Sequence, residues 1–408
     1  MYIERTLAAT IHEVTRSFPV LLLSGPRQVG KTTLLERCAE PGRRSLSLDR
    51  LELRDLAVRD PELFLQTYPP PLLIDEVQYA PQLFGAIKAA VELDRSPGRF
   101  WLTGSQKFPM MQGITETLAG RVAILDLLGF SQAELEGRAA AAQPFLPTSA
   151  WLEREGPRTG ESGRVGEVYR RIWRGSFPAL YRDPAPSWEL YYGSYLETYL
   201  ARDVYQVTHV GELTTFLRFL RAVAARTAQL LNLHELARDV DVDPKTAKSW
   251  LSVLEALGLV SLLQPYHTNV TKRLVKTPKL YFLDTGLCAY LTRWTSPEAL
   301  EAGAMSGAML ETYVYTEVLK SYWNRGLRPA LWYYRDRDQR EVDLVLEQDQ
   351  TLYPIEIKKT AAPKLEDARP FAGLGRMGHT LGPGAVVCMV REPCPLSAEV
   401  LAVPVSWL

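Results

Sequence analysis

Cysteine pairs, histidine clusters and long apolar runs are all missing from this chain, and each absence removes a class of function. The four cysteines stand at 38, 288, 388 and 394 without CxxC spacing, so neither a disulfide framework nor structural zinc is expected. The five histidines (His12, His209, His234, His267 and His379) have no ligand spacing either. Apolar runs such as residues 20–23 and 72–74 fall far short of the roughly 20 residues that cross a bilayer, so no membrane segment is expected. With no secretory apolar segment read at the N-terminus, the expectation is a reduced, cytoplasmic protein. Charge of one sign is not in excess: 47 Lys plus Arg balance 47 Asp plus Glu. Bulk charge therefore excludes a polyanion-coating role, and any nucleic-acid contact has to come from a local basic face.

What is present is a change of pattern along 408 residues, enough for about two to three domains. Short β-like runs at 20–24, 45–49, 71–75, 99–104 and 122–127 alternate with helix-like stretches, which predicts a parallel α/β sheet. Residues 135–165 lose periodicity and gain Pro and Gly, the composition of a loose insertion or linker. The middle third reads as mainly helical, and after residue 300 a helix at 307–323 leads into strands at 330–334, 340–346 and 352–358. The expected division is 1–135 (parallel α/β core), 136–210 (linker and helical lid), 211–295 and 296–408. Nine tryptophans and nineteen tyrosines are expected on packed helical faces, with those between Trp173 and Tyr205 a candidate protein-binding surface.

The run after the first strand, Gly25-Pro26-Arg27-Gln28-Val29-Gly30-Lys31-Thr32 followed by Thr33, fits G-x-x-x-x-G-K-[ST] at every fixed position. Glycines let such a loop wrap phosphates, its N–H groups and the next helix N-terminus supply positive potential, and Lys31 adds a cation for the β- and γ-phosphates. ATP and Mg²⁺ are therefore the expected cofactors, with Thr32 on the ion. At residues 71–76 a buried-strand pattern ends in Asp75 and Glu76. Asp75 is placed as the metal-side acid and Glu76 as the group that orients or deprotonates water. A further apolar strand ends in Thr103-Gly104-Ser105-Gln106, where Ser105 or Gln106 is a candidate γ-phosphate sensor if the two strands are neighbours. An ordinary helix N-cap by Ser105 is the alternative.

This order of motifs resembles the AAA+ superfamily of ATPases. With Asp75-Glu-Val-Gln, Leu118-Ala-Gly-Arg121, Tyr199-Leu-Ala-Arg-Asp203 and Tyr281-Phe-Leu-Asp-Thr-Gly286 it is similar to the prokaryotic branch that carries a C-terminal domain of unknown function. The resemblance implies that Arg121 reaches the γ-phosphate of a neighbouring subunit and that the protein is a homo-oligomer, ring-like in form. A surface arginine is the alternative for Arg121, and Arg174 is a weaker candidate for a lid arginine.

Residues 230–240, the turn Asp241-Val242-Asp243-Pro244 and the helical run 245–257 have helix–turn–helix phrasing. With the strands and the basic connector that follow, they resemble a winged helix. Lys245, Lys248 and Trp250 then lie on the recognition helix, and Lys272, Arg273, Lys276 and Lys279 are wing cations for phosphates. Winged helices also bind proteins, so the partner class stays open between DNA and protein. Downstream, Asp343, Glu356 and Lys358 have D-x12-E-x-K spacing, and Glu311 lies on the preceding helix. Converging carboxylates with a lysine suit metal-assisted phosphodiester hydrolysis, and the set resembles the PD-(D/E)XK restriction-endonuclease-like fold. A plain sheet surface and a nuclease-like fold without cutting are the alternatives. The expectation is an ATPase that couples hydrolysis to DNA binding or remodelling, against a protein-directed switch or an ATP-gated nuclease.

Overall fold

The computed structural model describes residues 2–105, 117–155, 164–200, 213–267, 277–336 and 338–408. The chain divides into two compact units, one of residues 1–130 with 256–258 and 323–327, the other holding the rest.

The first unit runs α1 (Leu7–Val14), β1 (Val20–Ser24), α2 (Lys31–Cys38), β2 (Arg44–Ser47), α3 (Leu51–Arg59), α4 (Pro61–Thr67), β3 (Leu72–Asp75), α5 (Leu83–Leu93), β4 (Phe100–Gly104) and β5 (Val122–Asp126). The five strands form one parallel sheet in the order β2-β3-β4-β1-β5. β1 is buried along its whole length, which is why it reads as an unbroken apolar run: strands covered on both faces have no polar side to show. Leu22, Ile74 and Leu102 of the sheet share a core with Leu53, Phe64, Phe84 and Ile87 from the helices. Local signals set the helix starts. Asp60 accepts from Leu63 N at 2.9 Å, and Pro61 opens α4 where a missing N–H costs nothing. Because all strands run the same way, the loops after β1, β3 and β4 emerge at one edge of the sheet, the edge where α/β folds bind ligands.

The second unit carries α6 (Leu213–Ala224), β6 (Gln229–Leu230), α7 (Leu233–Asp239), α8 (Pro244–Ala256), β7 (Val260–Leu263), β8 (Lys279–Phe282), α9 (Thr285–Leu291), α10 (Ser306–Trp323), β9 (Ala330–Arg335), β10 (Glu341–Gln348) and β11 (Thr351–Ile357). It also holds the two-residue strand β12 (Thr380–Leu381), β13 (Gly384–Cys388), β14 (Cys394–Pro395) and β15 (Val400–Pro404). Strands β6-β8-β7 make a small antiparallel sheet, while β14-β15-β13-β11-β10-β9 make a mixed sheet with β12 beside β11. Asp243 caps α8 by accepting from Lys245 N (2.8 Å) and Thr246 N (3.0 Å). The fold is therefore α/β, with an N-terminal parallel sheet, many central helices and a C-terminal mixed sheet.

Two expectations need correction. Residues 139–155 are packed: Phe145 (1% exposed) stacks edge-on against Trp151 at 4.9 Å, and its backbone bonds Ser321 Oγ and Tyr322 OH of α10. Two buried aromatic rings anchor a stretch whose composition suggested a loose linker. Among the described residues, the aromatic side chains between Trp173 and Tyr195 pack mainly on one another; Tyr199 and Tyr205 of the expected surface lie outside the described side chains. Trp173 stacks on Trp188 at 4.2 Å, and Phe177, Tyr192 and Tyr195 are all buried.

Candidate functional site

The chain leaves β1 at Gly25, whose φ is +150°; a Cβ there would lie 2.0 Å from Leu127 O. Only glycine permits that approach. Gln28 (φ 63°) and Gly30 (φ 90°) turn the loop back so that Gly30 caps α2. The first-turn N–H groups of α2 have no partner in their own helix, and alternating left-handed loop residues gather further amides, which together make an anion cradle. Lys31 is buried, and its Nζ donates to Gly25 O (2.9 Å) and Pro26 O (2.8 Å), which holds the ammonium across the mouth of the loop. Pro26 and Val29 are buried beneath it, Thr33 is exposed, and Arg27 donates to Tyr79 OH at 3.3 Å.

Thr32 Oγ1 donates to Asp75 Oδ1 at 2.7 Å, and Thr103 Oγ1 donates to the same oxygen. The pairing of β3 with β4 places Thr103 there, as the neighbouring strands required. Thr32 and Asp75 offer oxygen donors alone, the set that hard Mg²⁺ prefers; the residues fit the ion.

Glu76 sits in the left-handed region (φ 56°, ψ 45°), a conformation that costs a non-glycine residue of order 1–3 kcal/mol. The turn aims its carboxylate back along the strand edge, where it accepts from Gln78 Nε2 and lies 3.5 Å from Ser105 Oγ. Gln78 Nε2 also reaches Ser105 Oγ at 3.4 Å. The sequence offered Ser105 as a candidate γ-phosphate sensor or a helix N-cap and assigned no role to Gln78 or to the Thr103 hydroxyl. The signal for Gln78 was its place two residues past the acid, which becomes informative only once the turn at Glu76 is known. Gln106 lies outside the described residues.

Arg121 stands at the start of β5, its carbonyl accepting from Val20 N at 3.3 Å. That is the opposite end of β1 from Gly25. Its side chain pairs with Glu92 at 3.1 Å.

In the second unit, Lys245 and Lys248 are exposed on α8. Trp250, expected with them on the recognition helix, is 8% exposed and packs edge-on to Phe216 and Phe219, each at 5.3 Å. It belongs to the core of the helical bundle because it falls on the apolar stripe of α8 with Ala247 and Leu254. Lys272, Arg273 and Lys276 lie outside the described residues. Arg174 is spent internally, donating to Leu180 O and lying over the Tyr181 ring at 4.4 Å. In the 281–286 segment Asp284 is a structural hub: it accepts from Leu287 N (2.7 Å), Ser176 Oγ (2.8 Å) and Tyr192 OH (2.8 Å).

The C-terminal set does converge. Asp343 Oδ2 accepts from Ile357 N at 2.9 Å, and Glu356 Oε1 accepts from Lys358 Nζ at 2.6 Å. Glu311 joins them from α10. Among these carboxylates lies Lys279, 3% exposed, with Nζ 2.8 Å from Glu311, 2.5 Å from Glu341 and 3.7 Å from Asp343. The expectation of Lys279 as a wing cation for phosphates is overturned by that burial. Burial works against its ammonium, but Glu311, Asp343 and Glu341 outweigh it and hold its pKa above the ordinary lysine range. Burial, and then the charge of Asp343, push both Glu311 and Glu356 upward.

One family model agrees with the nucleotide half of this picture. An "AAA domain" family model matches residues 17–136, a "Domain of unknown function (DUF8612)" matches 166–298 and a "Domain of unknown function (DUF4143)" matches 306–408. The uncharacterized protein Rv2008c of Mycobacterium tuberculosis is 30% identical over 411 residues, covering 100% of this chain and 85% of the relative, and Mb2031c of Mycobacterium bovis matches to the same extent. Among solved structures, the Walker-type ATPase PABY2304 of Pyrococcus abyssi shares 14% identity at a TM-score of 0.43, covering 71% of this chain and 96% of its own. RuvB of Thermotoga maritima shares 17% at a TM-score of 0.27, covering 64% and 88%.

Proposed function

We propose, from the premise that this chain belongs to the same family as mycobacterial Rv2008c and Mb2031c and carries an AAA-type P-loop ATPase domain, that it is a Mg²⁺-dependent ATPase whose nucleotide cycle drives work on DNA. The observation that carries the hydrolytic half is the 2.7 Å bond between Thr32 and Asp75 beside Glu76. It brings the loop that binds phosphate and the strand that ends in two carboxylates to one point.

The loop amides and Lys31 hold the β- and γ-phosphates, and Thr32 and Asp75 hold Mg²⁺. When bound, the ion neutralises charge developing on the phosphate oxygens. Glu76, held by Gln78 and Ser105, orients the attacking water and takes its proton. Arg121 lies too far along β1 to serve its own loop, which supports a role at the nucleotide of a neighbouring copy and hence a ring-like homo-oligomer. For DNA, the support is the exposure of Lys245 and Lys248 on the helix that follows the Asp243–Pro244 turn, with Lys272 and Arg273 as further phosphate contacts. The three-helix and three-strand arrangement from α6 to β8 is compatible with a winged helix.

The test is steady-state hydrolysis of Mg²⁺–ATP with and without duplex and single-stranded DNA at two salt concentrations, with Glu76→Gln as the blank. Turnover stimulated by DNA at low salt and lost at high salt is expected. Turnover indifferent to DNA would sink the DNA half and favour a protein-directed switch, and turnover equal to the Glu76→Gln blank would sink the hydrolytic half.

A further inference from the structure

Four acids meet in the second unit: Glu311 from α10, Glu341 and Asp343 from β10 and Glu356 from β11. Such a gathering in a buried place needs positive charge. It is supplied from within the chain. Three cations face the four carboxylates: Lys279 contacts Glu311, Glu341 and Asp343, Arg335 lies 3.5 Å from Glu341, and Lys358 lies 2.6 Å from Glu356. Part of the remaining acceptor capacity is taken up within the chain as well, although among the described residues Glu356 Oε2 is buried without a hydrogen-bond partner. Tyr281 OH donates to the same Glu311 oxygen at 2.6 Å, and Ile357 N holds Asp343 Oδ2 at 2.9 Å.

We propose that Lys279 is a built-in counter-cation that occupies the place of a divalent metal among Glu311, Glu341 and Asp343, and so keeps this nuclease-like pocket closed to metal and silent in phosphodiester cleavage. Distance is the first reason. Mg²⁺ demands its oxygens at about 2.0–2.1 Å in near-octahedral array, and carboxylates drawn around an ammonium at hydrogen-bonding distance cannot also close on an ion. The anchoring of the lysine is the second. Its backbone is paired on both sides, with Leu230 of β6 and Leu263 of β7, which fixes its Cα beside the carboxylates, and its side chain is 3% exposed. The third is shape: among the described residues, no three His, Cys, Asp or Glu side chains are arranged to hold a metal ion. Lys279 thereby also ties the small antiparallel sheet to the mixed sheet, a charge contact that substitutes for metal chemistry. The inference stands apart from the ATPase reading.

Mn²⁺ binding to the nucleotide-free full chain, followed by electron paramagnetic resonance, tests it with Asp343→Asn, Lys279→Met, Lys279→Arg and the Lys279→Met/Asp343→Asn double variant. Wild type, Asp343→Asn and Lys279→Arg should titrate alike. Lys279→Met should gain one site, bound roughly tenfold or more tightly than anything in the wild type, and the double variant should lose it. If removal of the buried cation leaves Lys279→Met unfolded by circular dichroism, Mn²⁺ should restore its fold, but not that of the double variant. An Mn²⁺ site in the wild type that Asp343→Asn abolishes would overturn the proposal. So would a folded Lys279→Met that gains no site, or an unfolded one that Mn²⁺ fails to restore.

Discussion

The carboxylate of Glu76 is gripped by the side-chain amide of Gln78, two residues further along, across a turn in which Glu76 adopts left-handed backbone angles. The amide also reaches Ser105, so one glutamine links the end of β3 to the end of β4. A carboxylate that activates water has to be held at the right angle as well as in the right place. Gln78→Leu is therefore expected to lower kcat by about tenfold while the ATP dissociation constant stays within about twofold, whereas Glu76→Gln should cost about 10²-fold or more in kcat. Equal losses in binding and turnover for Gln78→Leu would mean that the glutamine merely supports the loop.

Gly25→Ala should abolish nucleotide binding. The new methyl would stand 2.0 Å from Leu127 O, a backbone atom that cannot swing aside, so the loop has to leave the strand at another angle. Fluorescent ATP-analogue titration reads the loss. Thermal unfolding should drop by only a few degrees, since the sheet core around Leu22 and Leu102 is untouched.

Much of this site was legible in the sequence because its signals are local. Parallel buried strands announce themselves as apolar runs, and the phosphate loop has a fixed spacing that follows one of them. Long-range facts were not legible. Lys279 opens a short apolar strand, Lys279–Phe282, that is buried throughout, which is a hint of a paired lysine, yet its partners lie 32 to 64 residues away in the sequence. The basic connector and the winged-helix resemblance placed it among the wing cations. Phe145 and Trp151 misled in the reverse sense: proline and glycine around them suggested a loose connector, while Ser321 and Tyr322, which bond the Phe145 backbone, sit far down the chain. The role of Gln78 hinged on a single backbone angle at Glu76.

Trp250 and Lys248 lie two residues apart on α8 and should behave as opposites. Trp250→Ala removes a ring buried against Phe216 and Phe219 and should cost about 3–5 kcal/mol of stability by chemical denaturation. Lys248→Ala, on the exposed face, should change stability by less than about 0.5 kcal/mol. On the proposed function it should weaken DNA binding across all sequences and reduce the slope of log K against log salt by about one. A salt slope unchanged by Lys248→Ala would remove that lysine from the phosphate contacts.

Arg121 offers a test of assembly that a structural role cannot imitate. Its ion pair with Glu92 is partly solvent-exposed, 28% and 47% for the two side chains, so breaking it should cost at most about 1 kcal/mol, and Arg121→Ala should fold normally and bind ATP. On the proposed assembly, in which the arginine completes the site of a neighbouring copy, turnover should fall. Lys31→Ala is inactive for the opposite reason: it spoils its own phosphate loop but keeps its arginine. Mixing the two inactive variants after dissociation and reassembly should then regain activity, since an intact Arg121 from a Lys31→Ala copy can complete the loop of an Arg121→Ala copy. The regained fraction should peak near equal mixing and vanish when the Lys31→Ala partner also carries Arg121→Ala. An arginine acting only within its own copy leaves every mixture as inactive as its parts, and one with a surface role alone leaves Arg121→Ala active by itself; either result would remove the ring-like assembly from the proposal while leaving the nucleotide site intact.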